Sequence, residues 1–202
     1  NSEAALGAIR AFEPQIVSHM AAQLEISKGI EDPIDEAEKD LITTIRLLEY
    51  CKTIPSIEHF VFASSACVYD PLGNMKLEPQ WSYGAAKLAG EHYANLYRRY
   101  FRVDCLRFGI TFGPREWYGR VLTNFAKRAV AGEPIVVFGD GTQSRDFTYV
   151  VDASHAHRWL TDKISGDEGG RSWDVGSGIE TSIKDLAEDI SEATGVPIEF
   201  ED

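Results

Sequence analysis

The chain has 202 residues, a formal net charge of -12, 44% hydrophobic and 26% charged residues. That is material for one globular domain, or one domain plus a lobe, with a full core. It carries no apolar run of membrane-spanning length and no signal-peptide pattern, and its acidic balance argues against general nucleic-acid binding, which needs a basic surface.

In chain order, residues 3–12 read as a short helix and Gln15–Ser18 as a short buried strand ending in His19. Residues 33–53 predict one long amphipathic helix with Ile34, Leu41, Ile45 and Leu48 near one face. The run from His59 to Ser64 is wholly apolar until its end, the texture of a strand in a parallel sheet. A helix over 84–101 and a strand over 103–108 follow. This alternation implies parallel βαβ units and an α/β sheet flanked by helices. After Arg115 the texture changes: a helix over 118–131, a strand over 134–138, a Gly139–Thr142 turn and a strand over 145–151. A helix over 152–163, a polar loop over 165–171, a strand over 173–176 and a helix over 182–194 complete the chain. We therefore expect a first domain at 1–115 and a smaller α/β lobe at 116–202, interleaved with it.

The pair Tyr83 and Lys87 carries chemistry. On a helix, residues four apart share a face, so a lysine ammonium can stand beside a phenol. A neighbouring cation stabilises phenolate and brings tyrosine toward use as a base. Ser64 and Ser65, at the end of a predicted strand, supply a hydroxyl that can bond the same substrate oxygen. Such a triad suits reversible oxidation of an alcohol by a nicotinamide cofactor. Cys51, Cys67 and Cys105 are odd in number and widely spaced, and they read as reduced thiols of a cytoplasmic protein. His155 and His157 lack carboxylate or cysteine partners at metal spacing, so no metal is expected there.

The ordered elements His19-x-Ala-Ala-Gln23, Asp32-Pro33, Ser64-Ser-Ala-x-Val-Tyr69, Tyr83-x-x-x-Lys87, Arg107-Phe-Gly-x-x-x-Gly-Pro-Arg115, Gly139-Asp-Gly-x-x-x-Arg-Asp-Phe147 and Val175-Gly176 run across nearly the whole chain. They resemble the extended short-chain dehydrogenases/reductases of the NAD-dependent epimerase/dehydratase family, nearest to nucleotide-sugar 4-epimerases. The resemblance implies a Rossmann-like parallel sheet plus a substrate-binding lobe. It implies NAD as cofactor and a nucleotide-diphosphate sugar as substrate, epimerised through a transient 4-keto sugar. Tyr83 would be the general base, Lys87 would tune it and hold the nicotinamide ribose, and Ser65 would bond the reacting oxygen. Ala21 and Ala22 would lie against the cofactor near Ser64. Arg145 would pair with the diphosphate, a role suited to a guanidinium fork, with Arg120 as a second candidate. It also implies a homodimer pairing the helices at 33–53 and 84–101 into a four-helix bundle.

The departures from the family pattern are also specific. The glycine-rich dinucleotide loop of such folds is not in the sequence, and roughly sixty residues of the family pattern are missing with it, so the chain is expected to be a fragment or an engineered truncation that by itself binds NAD poorly and turns over little. Asp40 stands where the family often has an active-site asparagine, Ile110 where many members have a substrate-contacting asparagine, and Asp70 in place of the glycine of Val-Tyr-Gly. Ala66-Cys67 has no acid, which argues against dehydration. Three readings stand side by side: an epimerase, a keto-sugar reductase, and an idle sugar-nucleotide-binding or dimerisation fragment. UDP, GDP and dTDP sugars are all compatible. His19 is expected to be structural, and Trp81 either walls the sugar pocket or anchors a loop.

Overall fold

The computed structural model describes residues 2–71, 74–116, 118–162 and 170–201. The chain divides into two compact units, one formed by residues 1–108 with 156–175, the other by 109–155 with 176–202.

The first unit is a parallel sheet with helices packed on it. Its strands are β1 (Ile16–His19), β2 (His59–Ser65), β3 (Arg102–Phe108) and β7 (Ser172–Val175), in the order β1-β2-β3-β7. All three pairings are parallel, and the register sets Ser65 level with Phe108, and Phe108 level with Val175. Every residue of β2 is buried, which is why this strand reads as a continuous apolar run. Phe60, Phe62, Leu48, Val103 and Cys105 form its core with Ala94 and Tyr97. The helices are α1 (Ser2–Phe12), α2 (Ile26–Glu31), α3 (Pro33–Glu36), α4 (Thr43–Cys51) and α5 (Ser82–Leu96).

Two sequence expectations change here. The single helix over 33–53 is α3, a wide π-helical turn over Ala37–Ile42, and α4. Asp32 caps α3 by accepting the Asp35 amide at 3.0 Å. The inserted turn shifts the phase, so Ile34, expected inside, is 72% exposed, while Glu36, Asp40 and Thr44 are buried. The helix expected over 84–101 starts at Ser82 and tightens after Leu96 into a 3₁₀ turn over Tyr97–Arg99.

In the second unit, β4 (Ile110–Phe112) pairs in parallel with β6 (Ser144–Tyr149), which pairs antiparallel with β8 (Glu180–Ser182). A separate parallel pair joins β5 (Ile135–Phe138) to β9 (Ile198–Glu201). Helices α6 (Val121–Ala131) and α8 (Ile183–Thr194) close over Phe125, Ile135, Val137 and Leu186. Each ends on a glycine in the left-handed region, Gly132 and Gly195. The strand expected over 145–151 stops at Tyr149, because α7 (Val150–Thr161) already begins at Val150. The polar loop expected at 165–171 lies, through residue 169, outside the described residues, as does the last residue of the helix expected over 152–163.

Candidate active site

The site is built at the C-terminal end of β2, where open parallel sheets gather ligands. Ser64 and Ser65 end that strand, and both are buried. Ser64 turns inward: its hydroxyl donates to Glu91 Oε1 at 2.5 Å. Ser65 caps the short 3₁₀ turn over Ala66–Val68, accepting the Cys67 amide at 3.1 Å and keeping its own hydroxyl hydrogen for another partner.

Helix α5 lies directly against that turn. A Cβ on Gly84 would come within 2.1 Å of the Cys67 carbonyl oxygen, and one on Gly90 within 2.7 Å of the Phe62 ring. The small residues of α5 thus bring Tyr83 beside the segment that follows Ser65. The glycines on either side of Lys87 are the sequence signal for this close approach, one that the motif spacing alone does not convey.

Lys87 is 3% exposed. Its ammonium donates to the Ala63 carbonyl at 2.8 Å and stands 5.6 Å from the Tyr83 ring centroid and 5.0 Å from that of Phe62. Burial pushes this ammonium toward losing its proton, and Asp40 and Glu36 oppose that. His19 is buried with Nε2 3.0 Å from the Thr44 hydroxyl, and burial, then the Lys87 charge, lower its pKa to about 4. Both effects favour the neutral imidazole. Asp40 accepts the Gln23 amide at 2.7 Å, so it pins the segment that contains Ala21 and Ala22.

Beneath the strand end lies a closed polar network that sequence reading missed. Arg107 donates to both Glu91 oxygens, at 2.8 and 2.7 Å, and to the Tyr69 hydroxyl at 2.6 Å. Tyr69 donates to Asp174 at 2.7 Å, and Ser172 donates to Glu91 at 2.7 Å. Burial alone would raise Glu91, but hydrogen bonds from Arg107, Ser64 and Ser172 hold it below the usual carboxylate range. The spacing of Lys87 and Glu91, one turn apart on α5, is the available signal.

In the second unit, Arg145 is exposed and donates to the backbone carbonyl of its neighbour Ser144 at 2.6 Å. Asp146, beside it, is held instead by Ser177 and Gly178 amides at 2.8 and 2.9 Å. Arg120 stands at the N-cap position of α6 without a side-chain capping bond, donates to the Thr111 carbonyl at 3.1 Å and lies 3.9 Å from Glu116. Trp81 precedes α5 and is 42% exposed. His157 Nε2 lies 2.8 Å from the Ser18 hydroxyl. Among the described residues there is no cluster of three or more His, Cys, Asp or Glu able to hold a metal, and no helix long and apolar enough to cross a membrane.

A parallel α/β sheet with a serine at one strand end, and a tyrosine and lysine one turn apart on the helix packed there, is the framework of a short-chain dehydrogenase/reductase. The chain belongs to the NAD dependent epimerase/dehydratase family, whose model matches residues 1–176. It is 31% identical over 208 residues to the UDP-glucose 4-epimerase of Mycolicibacterium smegmatis, covering 96% of this chain and 65% of that protein. The chain therefore spans a little less than two thirds of that relative. Among solved structures it is similar to the Thermus thermophilus UDP-glucose 4-epimerase in complex with NAD, at 30% identity and TM-score 0.86, covering 100% of this chain and 68% of the other. The Thermotoga maritima UDP-glucose 4-epimerase, solved with UDP-glucose, matches at 26% identity and TM-score 0.88 with the same coverage.

Proposed function

We propose that this chain is the catalytic part of an NAD-dependent epimerase acting on a nucleotide-diphosphate sugar, working through a 4-keto sugar. The observation that supports this most is Lys87, buried at the strand end and bonded, among the described residues, to a single backbone carbonyl, with Tyr83 on the same helix face. An ammonium carries three donors, so Lys87 has donors left for a ribose. Ala21 and Ala22 offer a small-residue segment, pinned by Asp40, against which a flat cofactor could lie. The donor set therefore fits NAD, which when bound would accept and return the hydride at the sugar carbon.

In this reading the Lys87 charge stabilises a Tyr83 phenolate, which removes the proton from the sugar 4-hydroxyl. Ser65, whose hydroxyl hydrogen is uncommitted, donates to the same oxygen and holds it as it becomes a carbonyl. After the keto sugar turns over, Tyr83 returns the proton to complete inversion. Arg145 and Arg120 would meet the diphosphate, for which two guanidinium groups are suited. We further propose a cytoplasmic homodimer. Tyr93 and Leu96 on α5 and Tyr100 just beyond it are 41%, 56% and 53% exposed, apolar surface of the kind that helix pairing buries.

The test is direct. Supplied with the glycine-rich loop that is not in this sequence, the purified protein should release near-stoichiometric NAD(H) on denaturation and interconvert UDP-glucose and UDP-galactose or another 4-epimeric pair, whereas this chain alone should release little. Tyr83→Phe should keep the cofactor and lose roughly 10²–10⁴-fold in turnover, the range of general acid–base catalysis. A protein that releases no cofactor and converts no UDP, GDP or dTDP sugar would return the idle-fragment reading.

A further inference from the structure

Glu36 is 1% exposed, and both of its carboxylate oxygens lack a hydrogen-bond partner. Asp40, four residues on and within the π-helical turn, is 3% exposed; one oxygen takes the Gln23 amide and the other has no partner. Buried polar atoms are nearly always bonded, and leaving a buried carboxylate oxygen unmet is costly. Three such oxygens within one helical turn call for an explanation.

The groups facing this pair are few. On their own segment, Asp35 and Lys39 pair with each other at 2.5 Å on the exposed side. From α2, Gly29 faces inward, and its missing Cβ leaves a point 2.6 Å from Glu36 Oε2 and 2.7 Å from the unpartnered Ser82 hydroxyl. Lys28 turns outward to Glu25, and Glu31 is exposed. From β1 comes His19, held neutral against Thr44. From α5 come Ser82, Tyr83 and Lys87; Glu91, further along, is committed to Arg107. Lys87 is thus the one buried cation in the neighbourhood among the described residues, and it forms no direct ion pair there.

Two ionised carboxylates four residues apart on one buried stretch of helix are costly, because each opposes the other and both lack water. One proton shared between them leaves a single negative charge, which balances the single positive charge of Lys87. We propose that Glu36 and Asp40 form a proton-sharing acid pair that keeps Lys87 an ammonium ion. They are then positioning residues for the Tyr83 base, a role that rests on the function proposed above. Burial, then their mutual repulsion, raise Glu36, and burial raises Asp40, as such a pair requires.

Two spectroscopic measurements on the purified protein test this without any substrate. At pH 7 the infrared spectrum should contain the carbonyl stretch of a protonated carboxylic acid, shifted by carbon-13 labelling of glutamate or aspartate and lost in Glu36→Gln. Nitrogen-15 lysine NMR, with Nζ of Lys87 assigned by its disappearance in Lys87→Met, gives the second readout. Glu36→Gln leaves Asp40 to carry the charge and should move the Lys87 titration little. Glu36→Gln combined with Asp40→Asn removes the charge and should lower the Lys87 midpoint by about one pH unit or more. Absence of the protonated-carboxyl band in the folded wild-type protein overturns the pair, even if no variant folds. An unmoved Lys87 midpoint in the folded double variant overturns its link to Lys87. Either result is legible whether or not the protein epimerises a sugar, and failure to bind NAD would count against the proposed function alone.

Discussion

Glu91 and Glu36 are buried to the same degree, 2% and 1% exposed, in the same unit. Glu91 meets an arginine fork and two serine hydroxyls, and its oxygens accept four hydrogen bonds. Glu36 accepts none among the described residues. The first is a structural ion that ties α5 to β2, β3 and β7. The second faces Gly29 and Ser82 and feels Lys87 only at a distance. Burial alone therefore does not say what a carboxylate does; the partners decide whether its charge is locked or left responsive.

The sharpest way to break the comparison is to give Glu91 the condition of Glu36. Arg107→Leu removes the cation that Glu91 pairs with and leaves an uncompensated buried charge. The expected loss is about 3–5 kcal/mol of unfolding free energy by urea titration. Survival within about 1 kcal/mol of wild type would mean that the serines suffice. The next effect concerns how α5 is seated. Gly84→Ala must push the Cys67 carbonyl aside, because backbone cannot rotate away from a contact of 2.1 Å. About 1–3 kcal/mol should be lost, with turnover falling because the segment after Ser65 moves. Gly29→Ala meets only the ends of the Glu36 and Ser82 side chains, and the gain of a helix former offsets part of the clash. Its net effect should stay within about 1 kcal/mol. Equal losses at the two glycines would show that the Glu36 region is as rigid as the Glu91 region.

The same contrast explains what can be read in the sequence. Tyr83, Lys87 and the serine pair are legible because motif spacing maps directly onto one helix face and one strand end. The alternation of β2 and β3 with α5 is legible because β2 is buried along its whole length and nearly apolar, and β3 keeps Val103, Cys105 and Leu106 in its buried centre. The helix over 33–53 defeats a periodicity reading, which assumes that buried positions are apolar. Here the inward stripe is Glu36, Asp40 and Thr44, and the wide turn moves Ile34 outward. The stripe is visible as polar residues at fourfold spacing in phase with Leu47, Leu48 and Cys51. Val150 and Val151 read as strand from their branched side chains, yet they open α7. The elements α2, β4 and β8 are too short to carry a period. The Arg107–Tyr69–Asp174 relay joins positions up to 105 residues apart, which no local pattern reports.

Acid titration should separate the two carboxylates next. Glu91 and Asp104 have folded pKa values below the ordinary carboxylate range. In Asp104, burial is outweighed by hydrogen bonds from His59, Trp173 and Arg102. Their stabilisation is present above the unfolded value near pH 4 and is lost as pH falls through the depressed folded values. Urea midpoints should therefore drop steeply below about pH 4. Glutamine at position 91 should flatten that limb while lowering stability at pH 7.

Glu36→Gln is the smallest effect and the most discriminating. A carboxyl whose pKa is raised by folding binds its proton more tightly in the native state. Its contribution is then unfavourable above the unfolded pKa and vanishes below it. Removing it should leave stability at pH 3 unchanged and raise it at pH 7 by about 1 kcal/mol or less, since the charge is shared with Asp40. A loss at pH 7 would instead mean that the carboxylate meets a bonding partner in solution that the neutral amide cannot satisfy. The signs at positions 36 and 91 must be opposite at neutral pH. If glutamine destabilises both, the distinction between a locked and a responsive carboxylate fails.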